Sequence, residues 1–135
     1  MTIVAISGGF DPLHRGHVNM IEEAVQFGRL HIYLNTDAWL MRKKGYVFMT
    51  FEDRARVLMA MKGVEMVIPV IDEDDTVCET IRMFKPDIFC NGGDRLPENT
   101  PELKTCCDLG IQVKFNVGGE KIQSSSELVK RVKNA

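Results

Sequence analysis

The chain alternates between two apolar periodicities, and that alternation constrains its fold more than any other feature. Runs of strand length and composition occupy residues 2–7, 30–35, 64–70, 87–91 and 111–116. Between them the apolar spacing becomes helical: Val18, Ile21, Ala24 and Val25 share one face ahead of Gly28, and Phe51, Ala55, Leu58 and Met59 do so ahead of Gly63. Helix starts are marked by capping pairs, Thr50 with Asp53, Thr76 with Glu79 and Ser124 with Glu127, and by Thr100 ahead of Pro101. Strands separated by helices return in the same direction through crossovers, so five strand–helix units predict a parallel sheet. The expected fold is α/β: a Rossmann-like, doubly wound, five-stranded parallel sheet in the order 3-2-1-4-5, with helices on both faces. A length of 135 residues suits one core, hence a single domain over 1–135.

Bulk properties exclude several functional classes. No stretch approaches the ~20 consecutive apolar residues of a membrane span, and Met1 leads into a strand-like run without a charged leader, so a cytoplasmic location away from membranes is expected. A net charge of −2 argues against the basic face of a nucleic-acid binder and leaves a single nucleotide as a possible ligand. Cys78, Cys90, Cys106 and Cys107 form no C-x-x-C pair and are expected to be buried, reduced thiols, Cys90 standing apart because it ends a strand ahead of a polar loop.

That edge of the sheet begins with SGGFDPLHRGH, residues 7–17. In open α/β sheets ligands bind beyond the carboxyl ends of the strands, where the strand order switches. Gly8 and Gly9 let the backbone turn off the first strand and let a ligand approach main-chain N–H groups, and Gly16 opens the first helix. A helix N-terminus seats a phosphate, and His14 and His17 flank it with groups suited to charge growing on a phosphoryl oxygen. Two other readings stand beside this one. Asp11 caps the loop while the histidines are solvated, or Asp11, His14 and His17 form a D-x-x-H-x-x-H metal set. Neither G-x-x-x-x-G-K-[ST] nor G-x-G-x-x-G is present, which disfavours P-loop kinases and dinucleotide dehydrogenases. The third histidine, His31, falls within a strand and is read as structural.

GGFDPLHRGH resembles the H-x-G-H signature of the nucleotidyltransferase superfamily, which holds cytidylyltransferases and pantetheine-phosphate and nicotinate-nucleotide adenylyltransferases. With LNTDAWLMRKKG, FEDR, FCNGGD and IQSSSEL, the ordered set resembles the subgroup of glycerol-3-phosphate cytidylyltransferase and heptose 1-phosphate adenylyltransferase domains, over essentially the whole chain. The resemblance implies that a phosphate of a small acceptor attacks the α-phosphorus of a nucleoside triphosphate and pyrophosphate leaves. It implies that His14, His17 and Lys44, with Lys43 close behind, serve catalysis. Gly8, Gly9, Phe10, Asn91, Gly92, Asp94, Ser124, Ser125 and Ser126 would bind nucleotide, and Asp37 and Arg54 acceptor, while Asp11 braces the loop. Magnesium carried mainly by the triphosphate is implied, as is a homodimer, with Trp39 and Met41 at the interface or over a core edge.

Cytidylyltransferases of this type commonly show R-T-x-G-[IV]-S-T-[TS] where this chain has NVGGEKIQSSSEL, without the arginine. That departure tilts the expectation toward ATP and a sugar 1-phosphate, with CTP and a small polyol phosphate or phosphonate as the alternative. Asn91 stands where the heptose enzymes often place a lysine, so the acceptor can differ from heptose. A non-catalytic nucleotide sensor is the reading from another class.

Overall fold

The structure, a computed structural model, describes residues 1–93, 95–119 and 124–133. Its five strands are β1 (Ile3–Gly8), β2 (Arg29–Leu34), β3 (Val64–Pro69), β4 (Ile88–Cys90) and β5 (Gln112–Lys114). The helices are α1 (Arg15–Ala24), α2 (Asp37–Lys44), α3 (Phe51–Met59), α4 (Cys78–Phe84), α5 (Glu102–Leu109) and α6 (Ser125–Lys133). The strands form one sheet in the order β3-β2-β1-β4-β5, and every pairing is parallel, as the alternation predicts. The order switches at β1, which pairs on one side with β2 and on the other with β4.

Alternate strand residues feed two cores, because successive side chains leave opposite faces. On one face Val4, Ile6, Ile32 and Leu34 pack with Ile21 and Ala24 of α1, Leu58 of α3 and Val117. On the other, Ala5, Tyr33 and Phe89 pack with Val77, Ile81 of α4 and Cys106 of α5. The helices therefore lie on both faces. Among the described residues no helix is long and apolar enough to cross a membrane.

Local details depart from the sequence expectations in several places. Helix α2 interrupts what the pattern reads as a loop: Thr36 accepts a hydrogen bond from the Trp39 amide at 3.2 Å, and Gly45 closes the helix at φ 82°. Its only buried residue is Leu40, so no apolar stripe announces it. Thr76 is not the cap of α4; the Asp72 carboxylate takes that place, accepting from the amides of Glu79 at 2.7 Å and Thr80 at 3.0 Å. The Thr100 hydroxyl donates to the Leu96 carbonyl instead of capping α5. Thr50 does cap α3, through the Asp53 amide at 3.3 Å. Val18 and Met59 are solvent-exposed, so each predicted helical face is narrower by one residue. Cys107 is also exposed and Cys78 half-buried, which leaves Cys90 and Cys106 as the buried thiols.

Candidate active site

At the switch between β1 and β4 the carboxyl edge opens into a cavity of about 620 Å³. Its wall comes from the loop after β1, the first half of α1, α2, the loops after β4 and β5, and the starts of α5 and α6. Gly8, Gly9, Phe10, His14, His17, Lys43, Lys44, Asn91, Gly92 and all three serines line it, as the sequence reading groups them. Asp94 lies outside the described residues.

The two histidines build the start of α1. His14 is the N-cap: its Nδ1 accepts from the Gly16 amide at 3.1 Å, and Nδ1 of His17 accepts from the His14 amide at 3.2 Å. This is a capping box made of two imidazoles. An Nδ1 that accepts from an amide keeps its lone pair, so in the neutral ring the proton sits on Nε2. The rings stack at 3.9 Å, and the Phe10 ring backs His17 at 4.7 Å. Phe10 is buried and left-handed, at φ 51°, an unusual conformation for a bulky residue that its packing in the core sustains.

Asp11 is completely buried and braces a different segment. Its oxygens accept from the amides of Phe48 at 2.7 Å and Met49 at 2.5 Å, pinning the loop that precedes α3. Its two oxygens are thus committed to amides while each histidine commits Nδ1 to one, so the D-x-x-H-x-x-H run does not converge as a three-ligand set. Among the described residues no group of three or more His, Cys, Asp or Glu is placed to hold a metal ion.

Arg54 is read from sequence as a grip for acceptor phosphate, and the structure puts it elsewhere. Its side chain is completely buried and does not line the cavity. The guanidinium donates to the carbonyls of Met49 at 2.9 Å, Gly9 at 2.7 Å and Asn35 at 2.8 Å, and to Asp37 Oδ1 at 2.7 Å. Asp37 accordingly serves as the partner of Arg54 at the first turn of α2, and it too is absent from the cavity wall. The physical reason is that four acceptors converge inside the protein and match the fork of a guanidinium. Both residues position the loop that carries Gly9.

Lys44 projects from the last turn of α2 and reaches the Asp11 carbonyl at 3.3 Å, beside the histidine loop. Lys43 reaches Asp75 at 3.5 Å on the outside. Across the cavity, Ser125 donates to the Pro12 carbonyl at 2.7 Å and so docks the start of α6 against the first loop. The positive end of that helix and its serines consequently face the same space as α1. Asn91 is buried, its amide donates to the Lys114 carbonyl at 2.8 Å, and its Nδ2 has no hydrogen-bond partner.

Several wall residues escape the sequence reading. Met20 and Gly118 meet so closely that a Cβ on Gly118, already at φ 88°, would lie 2.8 Å from the Met20 Cα. A Cβ on Gly93 would lie 2.4 Å from the Gly119 carbonyl oxygen. The result is a stretch of closely packed main chain on the cavity wall beside Met20 and Val117. No short motif encodes it, because two loops distant in sequence make it. Trp39 lines the cavity and is therefore more than a surface residue, whereas Met41 is exposed. Arg95 lines it from the loop after β4, and Glu102 from the first turn of α5. Burial pushes the Cys90 thiol up to about 12, so it is protonated at neutral pH and no nucleophile.

Comparison with known proteins agrees with this architecture. Residues 5–132 match the Cytidylyltransferase-like family. The bifunctional protein HldE of Gluconobacter oxydans is 34% identical over 98% of this chain and 28% of its own length. HldE of Pelobacter propionicus is 40% identical over 96% of the chain and 27% of its own length. The chain thus spans just over a quarter of these relatives. Among solved structures, a lipopolysaccharide core biosynthesis protein from Thermoplasma volcanium superposes with a TM-score of 0.68 at 29% identity, covering 85% of this chain and 93% of that one. A sheet in the order 3-2-1-4-5, an H-x-G-H turn at its switch point and a match over nearly the whole length lead to one assignment: the chain belongs to the cytidylyltransferase-like family of nucleotidyltransferases.

Proposed function

We propose that this domain transfers an adenylyl group from ATP to the phosphate of a sugar 1-phosphate, releasing pyrophosphate. The observation that carries the reading is the double-histidine cap, which keeps the proton of each neutral imidazole on Nε2 in two rings that line the cavity at the sheet's switch point. A phosphate monoester has a second pKa of about 6, so the attacking oxygen arrives deprotonated and no general base is required. The acceptor oxygen forms a bond to the α-phosphorus, and the bond from that phosphorus to the bridging oxygen of pyrophosphate breaks. Negative charge builds on the equatorial oxygens, where His14 and His17 donate hydrogen bonds placed in advance. Lys44 and the N-terminus of α6 neutralise the departing pyrophosphate.

The charged and polar side chains on the wall fit a triphosphate: His14, His17, Lys43, Lys44, Arg95 and the serines stand against a single carboxylate, Glu102, among the described residues. Magnesium would enter such a site mainly on the triphosphate itself, where it would supply charge neutralisation that the lysines and the helix N-termini complete. The adenine preference rests on the missing arginine in 116–128, and the sugar preference on likeness to heptose 1-phosphate adenylyltransferase domains.

Pyrophosphate release, measured with ATP or CTP against sugar 1-phosphates and glycerol 3-phosphate and followed by product mass, tests the reading. Release with ATP and a sugar 1-phosphate is expected. Preference for CTP with a polyol phosphate moves the domain to cytidylyl transfer, and nucleotide binding without release across the matrix makes it a sensor.

A further inference from the structure

Glu102 is the only carboxylate among the described cavity-lining residues, and nothing in nucleotidyl transfer as described above uses it. Its side chain is 4% exposed, in the first turn of α5, and its Oε2 has no hydrogen-bond partner. Burial raises its pKa, opposed by the Arg95 guanidinium and the amides of Glu102 and Val77. A buried carboxyl oxygen without a donor is costly, and a protein tolerates it where a ligand completes it.

Its place in the fold says which ligand. The histidines, Met20 and Gly118 lie on the α1 side of the sheet. Helix α5 packs on the opposite face, so Glu102 enters the cavity from the other side of the β1–β4 edge, with Arg95 beside it. In an in-line displacement the nucleophile comes from the side away from the leaving pyrophosphate. The end of the cavity away from Lys44 and α6 therefore receives the acceptor. A carboxylate repels a triphosphate and takes hydroxyl donors, while the guanidinium next to it suits the acceptor's oxygens.

We propose that Glu102 is a specificity-determining residue that accepts hydrogen bonds from hydroxyl groups of a polyhydroxylated phosphate acceptor, with Arg95 closing the same end of the site. The inference rests on the transferase reading and names the part of the site that selects its second substrate.

Calorimetric titration in the presence of a non-hydrolysable ATP analogue and magnesium tests it, using mannose 1-phosphate, glycerol 3-phosphate, propyl phosphate and inorganic phosphate. Propyl phosphate has the carbon chain of glycerol 3-phosphate without its hydroxyls. The wild type is expected to bind the better of the two hydroxylated ligands at least about tenfold more tightly than propyl phosphate. Glu102→Gln is expected to lose most of that margin while holding the ATP analogue and inorganic phosphate within about twofold of wild type. Equal binding of hydroxylated and propyl ligands by the wild type overturns the proposal, whether or not the variant folds. So does a margin that survives in Glu102→Gln, or a loss that falls on the nucleotide. Absence of pyrophosphate release in the nucleotide-by-acceptor assay instead removes the transferase reading, and release accompanied by equal binding removes only the role of Glu102.

Discussion

On the proposed function, each histidine at the start of α1 holds two roles in one ring. Nδ1 closes the start of α1, and through that bond the proton is placed on Nε2. The two functions are separable by substitution. Asparagine is a good N-cap and glutamine a good third-position partner in a capping box, yet neither reproduces an imidazole Nε2–H at the same reach. His14→Asn and His17→Gln are expected to melt within a few degrees of wild type while turnover falls about 10²- to 10³-fold, the usual effect of losing one preorganised donor. Thermal melts beside single-turnover rates check this; equal loss of melting temperature and rate would assign the histidines to folding alone. The spacing H-x-G-H made the pair legible in the sequence, since it falls at a glycine-rich turn before an apolar helical pattern. Glu102 was not legible. A glutamate after Thr-Pro at a helix start reads as an ordinary first-turn acid, and only its burial and orphaned Oε2 distinguish it.

At the scale of elements, the node around Arg54 holds the loops in register. Its guanidinium joins the first loop at Gly9, the end of β2 at Asn35, the start of α2 at Asp37 and the turn before α3 at Met49. Asp11 ties the same turn from the other side through Phe48 and Met49. Arg54→Met keeps much of the volume and leaves three carbonyls and a carboxylate without their donor. It is expected to cost about 3 kcal/mol of unfolding free energy, seen in urea as a lower midpoint with an unchanged slope. A midpoint within error of wild type would show that Arg54 does not carry this network. FEDR, read locally, gives an arginine near a helix start that suits a phosphate grip. Its burial depends on carbonyls drawn from three other segments, which no local pattern records. Helix α2 has no local signature for a related reason, as its eight residues bury only Leu40 and its start is a threonine that also fits a turn.

At the scale of the whole molecule, strand length, helical period and glycine punctuation agree with one another, so the sheet order and the presence of helices on both faces are legible in the sequence. The cavity is less so, because its wall is assembled from seven segments between Ser7 and Ser126 that meet only at the carboxyl edge of the sheet. Motifs disclosed the polar half, at His14, His17, Lys44 and the serines. The close main-chain packing beside Met20, and the end of the cavity formed by Arg95 of the β4 loop and Glu102 of α5, emerge from packing. The central claim is that the capped histidines hold the triphosphate for attack at its α-phosphorus. It is tested most directly by a crystal structure with magnesium and an α,β-methylene ATP analogue. Nε2 of both His14 and His17 is expected within about 3.2 Å of α- or β-phosphoryl oxygens, with the serines of α6 toward the γ-phosphate. A triphosphate bound away from α1, or imidazoles turned from it, would contradict the account.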